Sequence, residues 1–352
     1  MTDQPLTINT RADQEKIDQA RDAGLLVDQF GRIATDLRIS LTDKCNLRCT
    51  YCMPAEGLPW LPKEEVLTDD EIVRLIHIAV ERLGVRELRF TGGEPLLRAG
   101  LVNIVAQAAQ CEPRPDMSLT TNALGLAKNA QALADAGLNR VNVSLDTLND
   151  VQFTALTRRN RLADTIAGIE AAAAAGLTPV KINSVLMRDI NEHEAPALLQ
   201  WCLDRGYELR FIEQMPIDGA HIWDRHTMVT AEEILKILEE KFTLTPDPAH
   251  RGAAPAETWL VNGGPQKVGI IGSVTRPFCG DCDRTRLTAD GQIRNCLFAR
   301  EESDLRGALR SDATDDEIAN RWRIAMWGKR AGHGINDETF LQPARPMSAI
   351  GG

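Results

Sequence analysis

Leu37-Arg38-Ile39-Ser40-Leu41 leads, after three residues, into Cys45-Asn46-Leu47-Arg48-Cys49-Thr50-Tyr51-Cys52. The first run reads as a β-strand, and the second places three thiols on the loop leaving it. Five further strand-like runs follow: Glu87 to Thr91, Met117 to Thr121, Val141 to Leu145, Val180 to Leu186 and Glu208 to Gln214. Helical patterns lie between them. Asp69 to Leu83 has Thr68 and Glu71 placed as a capping box, and the alanine-rich Thr165 to Ala175 ends at Gly176. Strands alternating with helices predict an α/β fold on a parallel sheet, closed as a partial barrel or open and doubly wound. Either way, function belongs at the C-terminal ends of the strands.

The pattern changes after Ile217. A helix capped by Thr230 and Glu233 precedes a Pro-, Gly- and Ala-rich connector from Thr245 to Glu257. β-like segments follow around Lys267 to Val274 and Arg286 to Leu297, turning at Ala289-Asp290-Gly291. A last helix opens at Thr314 and Glu317. The expected division is a polar leader (1–35), a core (36–217), a C-terminal region (218–340) and a tail (341–352).

The chain has 352 residues, 43 % hydrophobic and 26 % charged, enough to bury a sizeable core. Its net charge of −10 argues against nucleic acid or an anionic membrane as partner. No apolar run approaches the roughly 20 residues that span a bilayer, and the leader lacks the apolar core of a secretory signal, so a cytoplasmic protein is expected. Eight cysteines in a reducing compartment are not expected to pair as disulfides. Cys111 and Cys202 read as core thiols. The other six form two groups, which call for metal.

Three ligands on a four-iron cluster leave one iron open to a small molecule, whereas structural zinc wants a closed shell of four. The nearest histidine to the first group is His77, so zinc would need a distant fourth ligand. The spacing of three then two residues, with an aromatic before the last cysteine, resembles the radical S-adenosylmethionine superfamily. That resemblance implies a [4Fe-4S] cluster on Cys45, Cys49 and Cys52, with the methionyl group of S-adenosylmethionine on the open iron and a 5′-deoxyadenosyl radical released on reductive cleavage. It implies a partial (β/α)6 TIM-like barrel whose C-terminal extension carries a second cluster. Thr91-Gly92-Gly93-Glu94-Pro95 is similar to the loop receiving the methionyl amino group, through Gly93. Tyr51, Ser144 and Met215 match positions contacting the cofactor backbone-to-ligand, at the ribose and at the adenine.

In the second group, Cys279-Gly280-Asp281-Cys282 is followed across an expected hairpin by Cys296, again with no evident fourth ligand. A zinc ribbon stays open on spacing alone. Arg284 and Arg286 alternate beside it and so face one side. Arg38, Arg89 and Lys181 interrupt strands where apolar residues belong, and no matching carboxylates are evident in sequence. A buried charge needs a partner, so five cations on one mouth predict a polyanionic small ligand. No Gly-x-x-x-x-Gly-Lys-Ser/Thr loop exists to hold its phosphates.

Two cysteine triads, the stretch Cys282-Asp283-Arg284-Thr285-Arg286-Leu287-Thr288-Ala289-Asp290-Gly291 and the terminal Gly351-Gly352 make the chain similar to the GTP-cyclising branch of the superfamily, which opens molybdenum-cofactor biosynthesis. The likeness runs from Arg38 to Gly352 and leaves out the leader. Asp283 departs from a frequent asparagine, and Ala123 from a glycine. The resemblance implies GTP on Arg38, Arg89, Thr120, Lys181, Arg284, Thr285 and Arg286, and a second [4Fe-4S] cluster on Cys279, Cys282 and Cys296 that anchors the purine. It assigns catalytic roles to Arg284, Arg286, Gly351 and Gly352. It also implies a homodimer, an electron donor such as flavodoxin or ferredoxin, and a downstream cyclic pyranopterin monophosphate synthase. The rival readings are another radical enzyme with an auxiliary cluster, acting on peptides or proteins, and a non-enzymatic zinc-binding module.

Overall fold

A computed structural model describes residues 11–351, with side chains from residue 13 onward. Met1 to Thr10 and Gly352 lie outside the described residues. The six expected strands form β1 (Asp36–Ser40), β2 (Glu87–Thr91), β3 (Asp116–Thr121), β4 (Arg140–Ser144), β5 (Val180–Leu186) and β6 (Glu208–Glu213). All pair in parallel with their sequence neighbours. The C-terminal region adds β7 (Leu244–Pro246), β8 (Glu257–Val261), β9 (Lys267–Ile271), β10 (Arg284–Leu287), β11 (Gln292–Arg294) and β12 (Ser303–Asp304).

The twelve strands make one open sheet, ordered β12-β11-β10-β1-β2-β3-β4-β5-β6-β9-β8-β7. β9 pairs in parallel with β6, and β10 in parallel with β1. The parallel part is therefore wider than the six strands of the first half of the chain. The short edge pairs β8–β9, β7–β8, β10–β11 and β11–β12 are antiparallel. This is a partial barrel. β10 is four residues long and rich in arginine, so its sequence reads as one arm of a hairpin and does not announce a parallel partner 248 residues earlier.

Alternation along the strands explains both faces. Leu37 and Ile39, Leu88 and Phe90, Met117 and Leu119, Val141 and Val143, and Leu209 and Phe211 are all buried and belong to the core between sheet and helices. The residues between them, such as Arg38, Arg89, Thr120, Asn183 and Arg210, turn inward. Parallel strands covered on both faces by apolar layers usually read as unbroken apolar runs, and closed barrels fill their interior with side chains. Here the strict alternation leaves a polar interior.

All three capping boxes form, at Thr68/Glu71, Thr230/Glu233 and Thr314/Glu317. The helix Asp69–His77 continues as a π-helical turn, Ile78–Arg82. Cys111 and Cys202 are buried in the core. The described part of the leader is more than polar chain: Arg11–Asp22 is helical, and Ile17, Leu26 and Val27 are buried. No helix among the described residues is long and apolar enough to cross a membrane.

Candidate active site

The first cysteine loop sits where β1 ends, against the loop that leaves β2. Gly93 N–H donates to the Thr42 carbonyl at 2.7 Å, and Glu94 N–H to the Lys44 carbonyl at 2.7 Å. A Cβ at Gly92 would lie 2.4 Å from the Thr42 carbonyl oxygen, and one at Gly93 2.3 Å from that of Lys44. The glycines are thus needed for the approach of the cysteine loop's own backbone. Glu94 is buried, accepts from Thr121 Oγ1 (2.7 Å), Asn122 N–H (2.8 Å) and Leu96 N–H (3.0 Å), and is pushed up to about 7 by burial.

Cys45, Cys49 and Cys52 line a cavity of about 810 Å³ together with Gly93, Ser144 and Thr120, and with no histidine in its described lining. Burial raises all three thiols: Cys45, Cys49 well above its usual value with Asp146 adding to the effect, and Cys52 to about 12. Tyr51 Oη donates to Asp146 at 2.8 Å, which fixes the ring between the cysteines.

Cys279, Cys282 and Cys296 line a second cavity of about 1010 Å³ that also takes in Arg38, Arg89, Arg284, Arg286, Met215 and Thr120. Thr120 and Met347 border both cavities, so the two adjoin, each with one cysteine triad in its wall. His333 lines the second cavity, but its Nδ1 accepts from Ile335 N–H (3.1 Å) and its Nε2 faces the Ser273 carbonyl (3.1 Å), so both ring nitrogens are engaged.

The spacing of the triads tests what they hold. Zn–S bonds of about 2.3 Å place tetrahedral sulfurs about 3.8 Å apart. Among the described residues, the group of three whose ligand atoms lie within 4.8 Å of one another is His77, Glu81 and Cys111; neither cysteine triad is that tight. Neither triad is drawn in around a single tetrahedral ion.

A row of arginines lines the second cavity. Arg286 on β10, Arg38 on β1 and Arg89 on β2 occupy the same register. Like charges on adjoining strands repel. Burial, followed by the neighbouring arginines, pushes Arg38 and Arg286 down to about 9. The Nε atoms of Arg38 and Arg89 and one terminal nitrogen of Arg284 are buried without a hydrogen-bond partner. Two carboxylates do accompany them, contrary to the sequence reading: Asp36 lies 3.7 Å from Arg38 and 3.9 Å from Arg89, and Asp283 lies 3.8 Å from Arg284. Two acids do not balance the four charges of Arg38, Arg89, Arg284 and Arg286.

The cations also do not gather at one mouth. Arg38, Arg89, Arg284 and Arg286 line the second cavity, and Lys181 does not. Lys181 is paired with Glu208 at 2.9 Å and lines a cavity of about 700 Å³ shared with Arg89, Arg210 and Arg284. Thr285 is the other departure: its side chain faces the opposite side of β10, where its Oγ1 accepts from the Trp322 indole at 3.0 Å. Thr285 lines neither cysteine cavity. Gly351 enters from the tail, its carbonyl accepting from Arg286 at 2.6 Å, while Gly352 lies outside the described residues.

Arg210 was missed in sequence, although it interrupts Leu209 and Phe211 in the same manner as the arginines that were noticed. It donates to Asn183 (2.9 Å) and Asn142 (2.6 Å) and lines both lower cavities. Phe278, 5.0 Å beneath Arg284, was missed as well.

Residues 39–202 match the family model for the Radical SAM superfamily, and residues 207–335 the model for Molybdenum Cofactor Synthesis C. A protein of Streptomyces coelicolor named GTP 3′,8-cyclase is 66 % identical over 331 residues, 94 % of this chain and 97 % of that protein. The chain belongs to the GTP 3′,8-cyclase family. A second member, from Mycobacterium marinum, is 59 % identical over 94 % of this chain and 92 % of its own. The span shared with these cyclases exceeds residues 36–352, so the likeness reaches into the leader, which the sequence reading had left out. Among solved structures, Streptococcus suis SuiB bound to S-adenosylmethionine matches with a TM-score of 0.59 at 14 % identity, covering 96 % of this chain and 80 % of that one, a likeness of fold. Membership in the radical SAM superfamily brings with it a [4Fe-4S] cluster and S-adenosylmethionine.

Proposed function

We propose that the chain is a GTP 3′,8-cyclase, converting GTP to (8S)-3′,8-cyclo-7,8-dihydroguanosine 5′-triphosphate in the first step of molybdenum-cofactor biosynthesis. The observation that carries the reading is the register of Arg286, Arg38 and Arg89 along a cavity that holds one cysteine triad and adjoins the cavity of the other. Such a row is unfavourable empty and favourable around a triphosphate.

Cys45, Cys49 and Cys52 would hold the cluster, and Gly93, Ser144, Met215 and the Tyr51 backbone would hold S-adenosylmethionine. When bound, these groups supply the radical chemistry that opens the ribose C3′–H bond. Arg38, Arg89, Lys181, Arg284, Arg286 and the missed Arg210 neutralise and orient the triphosphate, with Thr120 at the junction of the cavities and Thr285 acting through its backbone. Cys279, Cys282 and Cys296 would carry a second [4Fe-4S] cluster that anchors the guanine. C3′ then adds to C8, and a further electron and proton complete the product, with Arg284 or Arg286 and the Gly351-Gly352 tail closing the site. The same reading keeps the division into leader, core, C-terminal region and tail. It takes flavodoxin or ferredoxin as electron donor, cyclic pyranopterin monophosphate synthase as the next enzyme, a homodimer as the assembly and the cytoplasm as location.

The test is anaerobic incubation of reconstituted protein with GTP, S-adenosylmethionine and reductant. The parent chain is expected to form 5′-deoxyadenosine and the cyclised nucleotide. The Arg284→Ala/Arg286→Ala protein should lose GTP binding yet still cleave the cofactor. Unchanged GTP affinity in that variant would overturn the assignment.

A further inference from the structure

Lys329 lies directly behind the second cysteine triad and is 3 % exposed. Its ammonium has three protons and spends all three: on the Cys282 carbonyl (3.0 Å), on the Arg284 carbonyl (3.0 Å) and on Cys282 Sγ (3.3 Å). Among the described residues no carboxylate forms an ion pair with it. A buried cation without an opposite charge is costly, and two carbonyl dipoles do not neutralise it. The remaining partner is the sulfur, which carries negative charge only as a thiolate or a cluster ligand.

The backbone around Lys329 is clamped. Arg32, paired with Asp28 at 2.6 Å, donates to the carbonyls of Arg330 (2.6 Å), Ala331 (2.8 Å) and Cys279 (2.7 Å). The lysine and the cysteine loop are thus tied to one another from the leader. The first triad has the opposite surroundings, with Glu94 and Asp146 lining its cavity. The potential of an iron–sulfur cluster follows local charge and hydrogen bonds to its sulfurs.

We propose that Lys329 is a positioning residue for a cluster on Cys279, Cys282 and Cys296: a fixed positive charge on Cys282 Sγ that raises that cluster's reduction potential and separates it from that of the first. The inference rests on the two-cluster reading above.

The experiment uses the full chain with Cys45, Cys49 and Cys52 changed to alanine, so that only the second cluster is reconstituted, and reads iron, sulfide and an electron-paramagnetic-resonance redox titration. Lys329→Gln keeps a hydrogen-bond donor without the charge, and Lys329→Arg keeps the charge. In the Gln variant the reduced-to-oxidised ratio at a fixed poise should fall about tenfold, about 59 mV for a one-electron couple. The Arg variant should stay close to the parent. If the Gln variant loses the cluster while the Arg variant keeps it, the charge is holding the ligand, which supports the role. Unchanged potential in the Gln variant, or loss of the cluster in both, overturns it. A background protein that takes up no iron with Lys329 intact removes the two-cluster reading itself, a separate result.

Discussion

At the residue scale, the arginine row was legible because a charge inside an apolar strand stands out, and the missed Arg210 obeys the same rule. Asp36 was not legible as the row's partner, because its contact with Arg89 crosses from β1 to β2, between residues far apart in sequence. Burial alone would raise the Asp36 carboxyl, but Arg38, Arg89, Arg284 and Arg286 outweigh it and hold it below its ordinary value of 3.8. A carboxylate held low binds fewer protons folded than unfolded, so its contribution is complete above about pH 4 and fades as pH falls further. Asp36→Asn should therefore destabilise the ligand-free protein at neutral pH by about 3 kcal/mol, flatten the acid limb of its stability curve below about pH 4, and enlarge the rise in Tm given by GTP. Denaturant melts at several pH values, with and without the nucleotide, check all three. Gly93→Ala tests the other kind of residue. With its Cβ directed at the Lys44 carbonyl, the variant should displace the cysteine loop and lose about half of the bound iron on reconstitution, while far-ultraviolet circular dichroism stays that of the parent.

At the scale of elements, the six strands and three capping boxes follow from local patterns that neighbouring residues complete. β9 and β10 were legible as β-like segments, but their parallel pairing with β6 and β1 was not, because those partners are distant in sequence. The leader was read as polar chain since its helix carries charges throughout. Its anchoring depends on a few buried groups, Ile17, Leu26 and the Asp28–Arg32 pair, which no periodicity reveals. Arg32→Met should leave Asp28 buried and unpaired and free three carbonyls, a loss of about 3–5 kcal/mol. Urea melts measure it, and limited proteolysis should show new cutting near Cys279 or Lys329. A variant that melts with the parent would show the clamp to be dispensable.

At the scale of the molecule, the C-terminal tail reaches the site, with Met347 lining both cavities. The tail is latched before it enters: Arg345 makes a paired contact with Asp290 (3.0 and 2.7 Å) and a further bond to Glu302 (3.0 Å), and Gly351 then fits against Ser40 and Thr91, where a Cβ would lie 3.1 and 3.0 Å from their side chains. Sequence could point to the terminal glycines but not to the latch, whose acids lie more than forty residues upstream. Arg345→Ala should expose the tail to carboxypeptidase, lower product formation at least tenfold and leave the affinity for GTP within about threefold of the parent, which mass spectrometry and equilibrium binding distinguish.

The pairing of β10 with β1 has a consequence for biosynthesis. β1 is made first among the strands, yet one of its edges stays open until residues 284–287 have left the ribosome. For most of translation the nascent sheet therefore offers a bare, arginine-bearing margin, the kind of edge that recruits wrong partners. The repulsion within the arginine row also discourages a second nascent chain from adding its own copy there.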